Sequence, residues 1–279
     1  MKLLLLTLGT LLILALLWMT LFFWGQGLQY QPYDHPLMKT SQTRNVLATE
    51  SLQQAEKFLK QDAEGGLLLS VRMSRDGLFF TAPASSLQVL AELSRSEPEL
   101  ARGPKPHLYD FSFLQARLQG FAPLDQWMTL KPEPKLWIFD LQDNALEIDR
   151  RFADWFEKQK LSERALIRSD IDLVVSSLKE MRPLWIYGSS LSDLNKFLTL
   201  GSIGLQGIAN FQRDYYFTPL TRFERNMINE NVLKEVRKRH KKIALGPVRT
   251  DLEKEQALRF KPDLIILLDS AADKNAVSP

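Results

Sequence analysis

Short apolar runs alternate with amphipathic helical patterns along most of this 279-residue chain, and that rhythm leaves few folds open to it. Gly66–Met73 (GLLLSVRM), Leu136–Leu141 (LWIFDL), Ala165–Ile167, Leu184–Tyr187, Tyr215–Phe217, Lys242–Leu245 and Leu264–Leu268 read as strands. Ser74-Arg75-Asp76-Gly77 is a turn signal leading to Leu78-Phe79-Phe80. Helical spacing appears in Ser51–Lys60, Ser86–Arg95, Ile148–Phe156, Ile171–Leu178, Leu191–Leu200, Asn231–Arg239 and Asp251–Phe260, with a loop over 96–106. Strands that are apolar on both faces need cover on both sides, which parallel sheets with right-handed crossovers provide. About seven or eight such units predict a closed (β/α)₈ TIM barrel. A doubly wound open sheet is the alternative. No glycine-rich phosphate loop follows any strand, which weakens its nucleotide-binding versions.

The N-terminus has a different character. Leu3–Trp24 is 22 residues without a charge, and as a helix it is roughly 33 Å long, enough to cross a hydrocarbon core. A cleaved signal peptide is the competing reading. Its apolar region is normally shorter and ends in small residues, whereas this run ends Phe22-Phe23-Trp24-Gly25. Trp18 and Trp24 suit an interfacial belt. The expected organisation is an anchor over 1–27, a polar tether with Pro32 and Pro36 over 28–48, a barrel over 49–270 and a frayed tail over 271–279. The expected partner of Leu3–Trp24 is the lipid bilayer. Lys and Arg nearly tie on the two sides of the span; the short positive N-terminus favours a single-pass protein with its barrel on the non-cytoplasmic side.

Composition removes several chemistries. The chain has no cysteine, so disulfides, thiolate nucleophiles and cysteine–metal centres are excluded, and three histidines (His35, His107, His240) nearly exclude a multi-histidine metal site. Thirty-six basic residues against 33 acidic ones give no concentrated basic face of the kind nucleic acid requires.

Gly65–Gly77 (GGLLLSVRMSRDG) resembles the second-strand signature of the glycerophosphodiester phosphodiesterase family, close to GADGIELDVRLTKDG. Thr49–Ala55 looks like that family's ENTLAAF helix start, Pro134–Gln142 is similar to its PLNIEIK strand, and Lys261–Asp269 to its closing GVDGIITD strand. The segments run from about 49 to 270 in the family's order. The resemblance implies a TIM barrel in which two histidines act as general acid and base and carboxylates hold a divalent cation. This sequence departs from that chemistry. The Glu-x-Asp metal pair falls on Leu68 and Ser70, the second histidine near Ala82-Pro83, and the first His-Arg-Gly near Thr40-Ser41-Gln42, with His35 five residues too early. The fourth-strand glutamate becomes Asp140, the lysine after it Gln142, and the tryptophan-bearing WTVN segment Gly246-Pro247-Val248-Arg249.

Asp140 is therefore the candidate catalytic carboxylate at the mouth, with ion pairing or helix capping as the bland reading. Arg72, Arg168, Arg222 and Arg249 fall at or after strand ends, and Arg249 is the favoured ligand-binding residue for a phosphate. No metal site or cofactor is expected, apart from a divalent cation if an enzyme site persists. His35 and His107 read as tether and loop residues, and Arg237–Lys242 as a solvated helix end or a contact for anionic lipid. The expected function is a membrane-anchored, catalytically silent barrel binding a phosphate-containing lipid headgroup or a protein partner. The alternative is a divergent phosphoric diester hydrolase of lipid metabolism with a rebuilt site.

Overall fold

The computed structural model describes residues 2–27, 33–81, 121–222, 225–226 and 228–268. Helix Ser86–Arg95, the 96–106 loop, Ala82-Pro83, His107 and the tail lie outside the described residues. Twelve strands are described: β1 (Arg44–Ala48), β2 (Gly66–Met73), β3 (Phe79–Thr81), β4 (Ala122–Pro123), β5 (Leu136–Leu141), β6 (Ala165–Arg168), β7 (Ile186–Tyr187), β8 (Tyr215–Thr218), β9 (Thr221–Arg222), β10 (Arg225–Asn226), β11 (Lys242–Val248) and β12 (Leu264–Leu268). The helices are α1 (Lys2–Gly27), α2 (Pro36–Lys39), α3 (Leu52–Gln61), α4 (Leu124–Trp127), α5 (Ile148–Lys158), α6 (Asp172–Met181), α7 (Leu191–Ser202), α8 (Glu230–Lys238) and α9 (Asp251–Arg259).

Eight parallel strands form the barrel, in the order β7-β6-β5-β2-β1-β12-β11-β8. The ring closes between β7 and β8 at a Gly188–Tyr215 bridge, reinforced where Ser189 N–H donates to the Tyr215 carbonyl at 2.8 Å and its hydroxyl accepts from Phe217 N–H at 2.8 Å. Antiparallel β3 and β4 extend β2 beyond the ring.

Alternation sets what each strand offers. Val46, Leu68, Leu136, Ile138, Leu166, Ile186, Phe217, Ala244 and Ile266 fill the interior. Their neighbours Leu67, Leu69, Trp137, Phe139 and Ile167 join an outer cluster with Leu59 of α3, Phe152 and Phe156 of α5 and Val175 of α6. Tyr216, Ile243, Leu245 and Ile265 pack under Phe197, Val232 and Val236. Ser51, Ser190, Asn229 and Thr250 accept backbone N–H groups at the starts of α3, α7, α8 and α9, each such cap contributing about 1 kcal/mol.

The barrel starts earlier than the sequence reading placed it. Arg44–Ala48, expected as tether, is β1, paired with both β12 and β2. Ahead of it α2 plugs the base: Leu37 is buried in the interior cluster, and its carbonyl accepts the Tyr215 hydroxyl at 3.0 Å. His35 is buried there too. Its Nδ1 accepts Leu37 N–H at 3.2 Å, which leaves Nε2 as the donor to the Ser162 carbonyl at 2.9 Å. It is a structural cap at the end of the barrel opposite the mouth.

α1 is long and apolar enough to cross a membrane, with Leu6–Trp24 as the candidate span and none of it buried in the chain.

Candidate functional site

The C-terminal ends of the barrel strands enclose a cavity of about 350 Å³, reached by Ala48, Leu68, Asp140, Arg168, Phe217 and Ile266 from six of them. Active sites of barrels occupy this end. Asp140 follows Leu136 and Ile138 on the inward-facing parity of β5, and Arg168 follows Leu166 on β6, directly in register with Asp140. Gly188 makes room for them: a Cβ there would come within 2.7 Å of the Phe217 ring and 2.9 Å of Arg168 Cβ. On β11, Gly246 has φ +145, and a Cβ would meet the Ile266 carbonyl at 2.6 Å, so glycine alone fits where the strand bends into the mouth.

Arg168 is the hub. Its Nε stands 3.3 Å from Asp140 Oδ1, its Nη2 donates to Asp170 Oδ1 at 2.7 Å, and its guanidinium carbon lies 5.0 Å from the centre of the Phe217 ring. The Asp140 contact is an attraction of charges without hydrogen-bond alignment, since neither Asp140 Oδ1 nor Arg168 Nε has a hydrogen-bond partner. Burial pushes the Asp140 carboxyl up to about 6, against the pull of Arg168 and of a hydrogen bond with Gln142. A carboxyl held at a cost inside a cavity makes Asp140 the candidate group of this site.

That cost is measurable. The folded chain holds the Asp140 proton more tightly than the unfolded chain, where the carboxyl titrates near 3.8. Between about pH 4 and pH 6 the folded state binds more protons, so stability falls as pH rises through that window. Asp140→Asn removes the charge while Asp170 still accompanies Arg168. It is expected to stabilise the chain by about 1–3 kcal/mol at neutral pH and to change little below the unfolded value. Thermal melts at the two pH values check this, and a loss of stability at neutral pH would contradict it.

The other three arginines are placed differently. Arg72 is buried and paired with Asp143 at 2.5 Å. Arg249 is exposed after β11, its backbone N–H donating to Glu253, and the cavity is lined by Arg168 rather than by Arg249. Arg222 is on β9 with its side chain outside the described residues. Sequence reasoning named Arg168 only as one of four. Strand parity, which selects it, is invisible without the register.

The divalent cation that the resemblance implies does not fit the residues present. Leu68 occupies the first inward metal position and lines the cavity; Ser70, at the second, stands in register with Asp140. A guanidinium already sits against the carboxylate that remains, whereas a hard cation takes several oxygen ligands. Among the described residues no three of His, Cys, Asp or Glu gather into a group able to hold a metal ion.

No protein-family model matches the sequence, and no curated protein matches it. The fold, by contrast, has close counterparts. The glycerophosphoryl diester phosphodiesterase domain of an uncharacterized Mycobacterium tuberculosis protein superposes with a TM-score of 0.64 at 12% identity, covering 85% of this chain and 100% of that one. A Galdieria sulphuraria protein described as a glycerophosphodiester phosphodiesterase gives 0.61 at 10% identity, covering 82% and 95%. The Thermotoga maritima glycerophosphodiester phosphodiesterase gives 0.53 at 15%, covering 80% and 93%. The chain has the glycerophosphodiester phosphodiesterase fold.

Proposed function

We propose that this chain is a membrane-anchored barrel that binds a small ligand at its mouth and does not hydrolyse phosphodiesters with a metal. One observation carries the reading: at the inward positions where the resemblance requires metal carboxylates stand Leu68 and Ser70, and the carboxylate that faces inward there among the described residues, Asp140, is matched by Arg168. Leu68, Phe217, Pro247, Ile266 and Leu268 offer an apolar wall for the body of a ligand, and the Asp140–Arg168–Asp170 group receives its polar head. A phosphate-containing headgroup is one such head; it competes with Asp170 for the guanidinium. The apolar α1 supports the anchor.

A second reading, a divergent phosphoric diester hydrolase, draws on Asp140 itself, because a carboxyl near 6 is suited to proton transfer close to neutral pH. One assay separates the two. The purified full chain, given glycerophosphodiesters with Mg²⁺, Ca²⁺, Mn²⁺ or Zn²⁺, is expected to release no product above a control without protein. Lost acid–base groups cost about 10²–10⁴-fold each. Metal-dependent turnover that disappears in Asp140→Ala would establish the hydrolase instead.

A further inference from the structure

The strand N-termini form the base of the barrel, and four features meet there. The first is α1. Trp18 Nε1 donates to the Ile203 carbonyl at 3.0 Å, and Leu21 and Phe22 face the Gly204–Ile208 turn across a crevice of about 260 Å³. Residues 6–20 are exposed, so the helix projects away from the base rather than lying along the side of the barrel. The second is depth. Trp18 precedes Trp24 by about 9 Å along the helix axis, so the turn packs on the last two turns of the candidate span, the stretch whose two tryptophans suit an interfacial belt. Third, Ile203 on that turn is 53% exposed.

The fourth is charge. Lys238 lines the same crevice, and exposed Arg237 and Lys261 border a second hollow of the base with Tyr33, Met38 and His240, where the Arg237 guanidinium donates to the Phe260 carbonyl. Near these cations Glu235 is paired with Arg239, Asp214 with Lys241, and Asp263 with Lys242. Cations at a helix C-terminus complement its dipole. That accounts for Arg237 and Lys238 at the end of α8 and for Lys261 just past the end of α9, but not for the apolar helix against the crevice.

We infer that the base of the barrel is a docking face for anionic phospholipid headgroups, with the Ile203 turn at the interface and the mouth directed away from the bilayer. The inference rests on α1 being a membrane span. Its consequence bears on the ligand: β5 alone puts about 20 Å between base and mouth, so the cavity draws from the aqueous phase and not from lipids of the same leaflet.

The chain has no native cysteine, so single labels are unambiguous. Spin labels on Ile203→Cys, at the base, and on Ser192→Cys, exposed near the mouth on α7, are compared in the full chain in nanodiscs. The readout is accessibility to oxygen against a water-soluble nickel chelate. In phosphatidylcholine discs containing phosphatidylglycerol, the oxygen-to-nickel ratio at 203 is expected to exceed that at 192 several-fold. Without phosphatidylglycerol the equilibrium constant for docking is expected to fall by roughly fivefold for each of the two exposed cations Arg237 and Lys261. A chain that enters the discs with equal ratios at the two sites overturns the docking and leaves the anchor standing. A chain that does not enter discs overturns both. An immersion at 203 unchanged by lipid charge overturns the headgroup assignment.

Discussion

Asp143→Ala is expected to lower the stability of the barrel by about 3–5 kcal/mol, because it strands a buried guanidinium. Arg72 and Asp143 are 4% and 2% exposed. Arg72 Nη1 donates to Asp143 Oδ1 at 2.5 Å, and Asp143 Oδ2 accepts Met73 N–H at 3.3 Å, so the carboxylate ties the end of β2 to the segment after β5. For a domain of this size such a loss corresponds to roughly 10 °C in Tm. Arg72→Met with Asp143→Leu is expected to regain most of it, since replacing both members of a buried pair by apolar groups is often nearly neutral. The mouth would respond as well. Arg72 helps to hold the Asp140 carboxyl down, and without it that carboxyl should rise further. A single variant that melts like the parent would sink this account of the pair.

Arg239→Met is the second large effect, expected at about 4 kcal/mol. The guanidinium donates to the carbonyls of Ala209 at 2.5 Å, Gln206 at 3.0 Å and Gly207 at 2.8 Å. It also donates to Glu235 at 2.9 Å and stands over the Phe197 ring. Methionine keeps the stem and leaves the carbonyls and a buried carboxylate without their donor. Arg239→Lys keeps the charge but loses the fork, and should fall between. The functional reading is local: the turn that meets α1 should loosen before the barrel melts, visible as faster amide exchange over 203–209. Equal exchange there in parent and variant would contradict the role of Arg239 as the bolt of that turn.

The elements that could be read from sequence are those whose burial is two-sided. LWIFDL and GLLLSVRM have no solvent face, so composition alone marks them, and β5 and β2 fall on the expected residues. β1 escaped because RNVLA carries three apolar residues behind a polar stretch, and its place comes from two neighbouring strands rather than from its own pattern. α2 escaped for the same reason, since its four residues bury Leu37 alone, with Met38 partly packed beside it. In the run Arg237–Lys242, taken as a solvated end or a lipid contact, Arg239 is 3% exposed. A signal was present. Val232, Val236 and Arg239 recur at i, i+4 and i+7, which puts the arginine on the buried stripe of α8. The candidate site was legible as a missing set of ligands at 68 and 70. What replaces them, a buried carboxyl against one particular guanidinium, depends on register.

Because His35, Leu37 and the Tyr33 hydroxyl, which donates to the Leu184 carbonyl at 2.5 Å, are built into the base, the leash between helix and barrel is not the long one the prolines suggested. Five residues separate Gly27 from Tyr33, a reach of at most about 20 Å when fully extended. Confinement on that scale gives the barrel a high effective concentration at the end of its own helix. Weak contacts with the helix or with headgroups, too feeble to assemble separate molecules, then suffice to bias its orientation. A protease that cuts within the five-residue stretch would set the barrel free with its plug intact. One that cuts after Thr40 would take the plug with the helix.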